Sequence, residues 1–234
     1  MSAECLDRLR GRLIVSCQAL PDSPLRDPAI IAALARCAVR GGAAGVRIDG
    51  PDDVAAVRAA VDVPIIGLYK IRDRAPVYIT PTLEEARAVA GAGADIVAVQ
   101  ATTEREGDAG ADPLAALIDR IHAECRVPVL ADVSTLEEGL AAASRGADAV
   151  ATTMAGYTPH SRHAAGPDLD LVRALAAAVA VPVVAEGRIT TPEDAAAALN
   201  AGAWAVVVGR AITMPETITE RFVRALDAAQ RCAR

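Results

Sequence analysis

Short apolar runs alternate with longer amphipathic stretches along the whole chain. The runs are LIVSCQ (13–18), GVRI (45–48), PIIGLY (64–69), DIVAVQ (95–100), PVLADV (128–133), AVATTM (149–154), PVVAEG (182–187) and AVVVG (205–209). Each is rich in β-branched residues and too short for a helix, which predicts a buried strand. The stretches at 28–40, 51–60, 82–91, 112–124, 135–144, 168–179, 192–200 and 215–230 carry Ala, Leu, Arg and Glu in helical patterns. Several open on a capping residue, as in TPTLEEA, STLEEG and TTPEDA.

Two phrases punctuate this pattern in alternation. Gly-Ala precedes a strand at 42–46, 93–97, 146–150 and 202–206, and Val-Pro does so at 63–66, 127–130 and 181–184. Glycine closes the preceding helix in a left-handed cap, and proline stops it from continuing. Eight strands, each followed by a helix, predict a (β/α)8 TIM barrel, one domain over residues 1–234. A doubly wound sheet is the rival, but it usually has fewer strands and a GxGxxG turn after the first.

Composition agrees with that picture and narrows the function. Apolar residues make up 53% of the 234 and aromatics 2%, so the core is aliphatic. A net charge of −6 argues against nucleic acid or an anionic membrane as partner, since both call for basic stripes. Five cysteines (Cys5, Cys17, Cys37, Cys125 and Cys232) are widely spaced without a CxxC pair, as free thiols in a reducing cytoplasm would be. The N-terminal MSAECLDRLRGRL does not read as an export signal, and no run is long enough to span a membrane.

In such a barrel the chemistry sits where the strands end. The polar residues there are Ser16 and Gln18; Arg47 and Asp49; Tyr69 and Lys70; Gln100 and Thr102; Asp132 and Ser134; Thr152 and Thr153; Glu186 and Arg188; and Gly209 and Arg210. Any one could be rim solvation, but Gln18, Arg47, Lys70, Asp132 and Glu186 would converge on one mouth. Lys70 is the only lysine in the chain. AEGRIT and VGRAIT each put a Gly-Arg step just past strands seven and eight, where barrels often bind phosphate. Gly187, Arg188, Gly209 and Arg210 are therefore expected around the phosphate of a substrate. No metal site is expected: Asp132 and Glu186 could hold magnesium, but His122, His160 and His163 lack ligand spacing.

The phrases SCQAL (16–20), GVRI (45–48), PIIGLYK (64–70), VYITPTLEE (77–85), ADVSTLEEGLAAA (131–143), VPVVAEGRITTPEDA (181–195) and VVVGRAIT (206–213), with the TT and AGYTP of 152–159, resemble the N-acetylmannosamine-6-phosphate 2-epimerase family over nearly the whole chain. The resemblance implies interconversion of N-acetylmannosamine 6-phosphate and N-acetylglucosamine 6-phosphate, a step of sialic acid catabolism, without a cofactor. It also implies Lys70 as catalytic base, assistance from Glu186 in proton transfer, and sugar contacts from Gln18, Arg47 and Asp132, with Thr153 a further substrate-binding candidate. A homodimer, packed through the C-terminal helix around Phe222 and Leu226, is implied as well. Two departures stand out: Gln100 takes a usually acidic position, and Met214 stands where the family often has arginine.

Lysine suits this chemistry and arginine does not. The C2 hydrogen lies α to the open-chain C1 aldehyde, so its removal gives an enolate. The base for that step works best with a pKa near the working pH. Burial and a neighbouring cation such as Arg47 lower a lysine toward that range, whereas arginine stays protonated. Lys70 and Glu186, on strands four apart in the ring, suit a two-base transfer, and a one-base transfer with the substrate's own hydroxyls as relay fits nearly as well. The same lysine would also serve a class I Schiff-base aldolase or lyase, and a non-catalytic sugar-phosphate sensor is the non-enzymatic alternative.

Overall fold

The computed structural model describes residues 2–74, 76–105 and 113–232. In chain order, α1 (Ser2–Asp7) precedes β1 (Leu13–Cys17), α2 (Pro28–Arg40), β2 (Gly45–Asp49), α3 (Pro51–Arg58), β3 (Ile65–Leu68), α4 (Leu83–Gly91) and β4 (Ile96–Gln100). There follow α5 (Pro113–Arg120), β5 (Val129–Asp132), α6 (Leu136–Ser144), β6 (Ala149–Ala151), α7 (Leu169–Ala178), β7 (Val183–Glu186), α8 (Pro192–Asn200), β8 (Ala205–Val208), α9 (Arg210–Thr213) and α10 (Pro215–Cys232). The eight strands pair in parallel, each with the next, and β8 closes on β1 through Leu13–Val206, Ile14–Val207 and Val15–Val208. The architecture is the (β/α)8 barrel that the hydrophobic pattern predicts.

Capping accounts for several helix starts. Thr82 with Glu85, Thr135 with Glu138 and Thr191 with Asp194 form reciprocal boxes at α4, α6 and α8. Each such cap is worth about 1 kcal/mol. Glu138 does more than cap: its second oxygen accepts from the backbone and hydroxyl of Thr103, at 2.7 and 2.9 Å, which ties the loop after β4 to that after β5.

The period of two along each strand sorts side chains into two layers. Ile14, Ile66, Leu68, Ile96, Ala98, Leu130, Ala149, Val184, Ala205 and Val207 fill the barrel. Val15, Val46, Ile48, Val97, Val129 and Val150 face outward against the helices. The filled interior is closed below by α1 and the turn that follows it, where Leu6 and Leu9 join the inner layer and Leu6 O accepts from Trp204 Nε1 at 3.1 Å. Continuing the inward parity in steps of two past the filled layers reaches Lys70, Thr153, Glu186 and Gly209 and, through Ser16, Gln18.

The observed elements depart from the expected ones in four places. Neither α1 nor the single turn α9 has a pattern long enough to predict. The sixth strand stops at Ala151, and Thr152–Met154 forms a 3-10 turn. There the Thr152 hydroxyl replaces the ladder, donating to Glu186 O at 2.9 Å and accepting from Glu186 N at 3.1 Å. The helix expected at 112–124 runs from Pro113 to Arg120 and then widens into a π turn, Ile121–Cys125, ended by Arg126 at φ 60°. Its expected first residue, Asp112, lies outside the described residues. Among the described residues, no helix is long and apolar enough to cross a membrane.

Candidate active site

The C-terminal mouth of the barrel holds a cavity of about 490 Å³ whose lining includes Gln18, Arg47, Lys70, Thr153, Glu186 and Gly209. At its floor Arg47, only 1% exposed, is clamped between two carboxylates. Its Nη1 and Nη2 donate to Asp132 at 3.0 and 2.5 Å, and Nη1 also donates to Glu186 Oε2 at 2.6 Å. Thr153 joins the cluster: its hydroxyl donates to Asp132 Oδ1 at 2.6 Å and accepts from Arg47 Nη1 at 3.2 Å. Burial opposes the Arg47 charge, but Asp132 and Glu186 outweigh it and push the guanidinium pKa upward. Its Nε is left without a hydrogen-bond partner among the described residues.

Two titratable groups flank this clamp. The Glu186 carboxyl is pushed up by burial; Arg47 pulls it down, and Asp132 adds to the rise. The Lys70 ammonium is pushed down by burial; Asp49 works against this, while Arg47 and Arg72 add to it. An acid raised and a base lowered in one cavity are both moved toward neutrality, the condition that proton-transfer sites need.

Lys70 is held by short-range structure rather than by strand pairing alone. Beyond β3 the chain turns back on itself: Lys70 bridges Ile79, Ile71 N donates to Tyr78 O at 2.9 Å, and Thr80 N donates to Tyr69 O at 2.8 Å. The Lys70 backbone N–H donates to buried Asp49 Oδ1 at 2.9 Å. At the other end, Nζ donates to Gln18 Oε1 at 2.5 Å, and Gln18 Nε2 donates to Ser16 Oγ at 2.9 Å. The amine thus faces a neutral amide acceptor, which holds it in place without adding a charge that would stabilise its protonated form.

The segments after β7 and β8 face the same cavity but differ from each other. Gly187 has φ +111°, a backbone conformation that side chains disfavour, so glycine is needed for the turn that follows Glu186. Arg188 has a positive φ as well, and its guanidinium is committed: Nε donates to Gly166 O at 2.8 Å and Nη1 to Ala155 O at 2.5 Å. It also stacks at 5.6 Å from the Tyr157 ring. Arg188 therefore braces the loop between β6 and α7. Gly209 caps α9, whose Thr213 hydroxyl donates to Ser16 O at 2.8 Å, and exposed Arg210 lines the cavity beside it.

Several lining residues were not singled out from the sequence. Tyr78 and Arg72 arrive on the hairpin after β3, and Met154, Thr217 and Arg221 arrive from the 3-10 turn and α10. Only the hairpin conformation brings Tyr78 back beside Lys70; the VYITPT phrase was its one signal. Gln100 has a structural use here. It accepts from Tyr78 N at 3.1 Å and donates to Pro76 O and Thr102 Oγ1, so it shapes the hairpin that carries Tyr78. An ionised acid in that place has no proton to donate to Pro76 O. His160 and His163 lie on the exposed loop, and no group of three metal-ligating residues occurs among the described residues.

Residues 31–228 match the family model described as "Putative N-acetylmannosamine-6-phosphate epimerase". A Thermosynechococcus vestitus protein named "Putative N-acetylmannosamine-6-phosphate 2-epimerase" is 50% identical over 94% of this chain and 96% of its own length. A relative of the same name from Caldanaerobacter subterraneus is 47% identical over 95% and 94%. The solved N-acetylmannosamine-6-phosphate 2-epimerase of Clostridium perfringens superposes with a TM-score of 0.88 at 42% identity, covering 94% of this chain and 95% of that one. On fold, length and sequence together, the chain belongs to the N-acetylmannosamine-6-phosphate epimerase family.

Proposed function

We propose that this protein interconverts N-acetyl-D-mannosamine 6-phosphate and N-acetyl-D-glucosamine 6-phosphate by moving a proton at C2. The observation that carries the reading is the single cavity holding Lys70, lowered toward neutrality by burial, and Glu186, raised by burial, on either side of the Arg47 clamp. Lys70 takes the C2 proton of the open-chain sugar and the electron pair moves into the C1 carbonyl. The C2 carbon is then reprotonated on the opposite face, with Glu186 assisting the transfer. No electrons are gained or lost overall, so the reaction needs no redox partner.

The remaining residues follow from position. Gln18, Arg47, Asp132 and Thr153 contact the sugar hydroxyls and the developing enolate. Gly187 and Gly209 let the backbone approach the phosphate, with Arg210 beside them, and Arg188 holds the adjacent loop and turn. α10 carries Phe222, Val223 and Leu226 with 69%, 50% and 65% exposure. An apolar helix face of that kind supports a homodimer packed through α10. A cytoplasmic place in sialic acid catabolism is part of the same proposal.

The test is proton NMR of purified protein with N-acetylmannosamine 6-phosphate. Appearance of N-acetylglucosamine 6-phosphate, and much slower conversion of the unphosphorylated sugar, supports the reading. No epimer, or a Lys70 adduct trapped by borohydride, overturns it in favour of a binding protein or a Schiff-base enzyme.

A further inference from the structure

The cavity is lined by Arg47, Arg72, Arg188, Arg210 and Arg221 as well as Lys70. Their surroundings leave few of them for an anionic ligand. Arg47 is neutralised by two carboxylates. Arg188 is anchored away from the phosphate end by Nε and Nη1, which donate to Gly166 O and Ala155 O of the loop between β6 and α7. Arg72 sits two residues beyond Lys70, on the strand-three side of the ring. On the side of β7 and β8, where the two Gly-Arg turns face the cavity, Arg210 and Arg221 remain.

Arg221 is on α10, two turns into the helix. Thr217 and Ile218 precede it by four and three residues, the spacing of one helical face, and both also line the cavity. Its Nη1 reaches Thr190 O at 3.4 Å, a long contact with the segment that follows Gly187 and Arg188. No ion pair and no other hydrogen bond of Arg221 occurs among the described residues. A guanidinium so placed has most of its donors turned to no protein group, and its planar fork matches a phosphate monoester.

We propose that Arg221, reaching in from α10, binds the phosphate of the substrate together with Arg210, and so sets the preference for a phosphorylated over a free amino sugar. This rests on the function proposed above, whose substrate carries that phosphate. It also makes the phosphate end of the site depend on how α10 is seated against α9.

Inorganic phosphate is the probe, titrated by calorimetry into the full-length protein, with Arg221→Gln, Arg221→Lys and Arg224→Gln compared. Arg224 is on the same helix, exposed and paired with Glu220, and does not line the cavity. Loss of one charge-assisted contact weakens binding by about 10-fold or more. Arg221→Gln is expected to show that loss, Arg221→Lys to recover part of it, and Arg224→Gln to match the parent protein. In turnover, KM for the phosphorylated sugar rises by a larger factor than kcat falls. Equal phosphate affinity in Arg221→Gln, an equal loss in Arg224→Gln, or no phosphate binding by the parent protein overturns the proposal. A parent protein that binds phosphate through Arg221 yet forms no epimer overturns the activity and leaves this inference standing.

Discussion

Asp132→Asn tests whether the Arg47 clamp is the structural keystone of the mouth. Asp132 is fully buried, and three donors converge on it: Arg47 Nη1 at 3.0 Å, Arg47 Nη2 at 2.5 Å and the Thr153 hydroxyl at 2.6 Å. Asparagine keeps the shape but removes the charge, and its amide places N–H groups against the guanidinium. Breaking a buried ion pair by altering one partner costs about 3–5 kcal/mol, because the other charge stays buried. Glu186 remains on Arg47 at 2.6 Å, which puts the expected loss near the lower end, about 3 kcal/mol. For a chain of this length each kcal/mol moves Tm by about 2–4 °C, so a fall of about 6–12 °C accompanies it. Urea unfolding followed by circular dichroism measures the loss, and Asp132→Leu combined with Arg47→Met and Glu186→Gln serves as its control, since Arg47 pairs with both carboxylates. Removing all three charges restores most of the stability, since a buried ion cluster is replaceable by uncharged groups of similar volume. A loss under about 1 kcal/mol, as for an exposed pair, refutes the reasoning. A triple variant no more stable than Asp132→Asn refutes it equally.

Two further substitutions probe the base and the barrel wall. Arg72→Gln removes one of the cations that lower Lys70, after burial and against the pull of Asp49. The amine then titrates at higher pH, and because only its neutral form accepts a proton, the acid limb of the kcat/KM profile moves to higher pH. An unmoved limb, or one moved to lower pH, contradicts the assignment. Gly67→Ala places a Cβ 2.6 Å from Ala94 Cβ and 3.2 Å from Val89 Cβ, where β3 meets α4. That overpacking costs about 1–3 kcal/mol in urea unfolding. Gly91→Ala, which meets nothing within 4 Å, instead leaves stability equal or higher.

The barrel was legible because its two governing signals are local. Valine and isoleucine runs mark buried strands, and the Gly-Ala and Val-Pro phrases mark where helices give way to them. The inward parity of each strand then carries Gln18, Lys70, Thr153 and Glu186 to one mouth without any knowledge of long-range packing. What stayed hidden depends on contacts between loops. Arg188 reads as a phosphate residue from its Gly-Arg step, yet its side chain goes to the carbonyls of Ala155 and Gly166, which only the folded β6–α7 loop brings near. Gln100 reads as a departure from an acidic pattern, while its use is to satisfy the backbone of a hairpin folded back from β3. α1 is six residues long, and only its burial of Leu6 beneath the barrel gives it a role.

The central claim is that Lys70 removes the C2 proton, and deuterium exchange reads that step directly. With N-acetylmannosamine 6-phosphate in D2O, the C2 proton signal disappears as deuterated epimer forms. Lys70→Arg keeps the positive charge but cannot act as a base, so exchange falls by about 10²–10⁴-fold while inorganic phosphate still binds. Exchange at C2 that persists near the parent rate in Lys70→Arg contradicts the account.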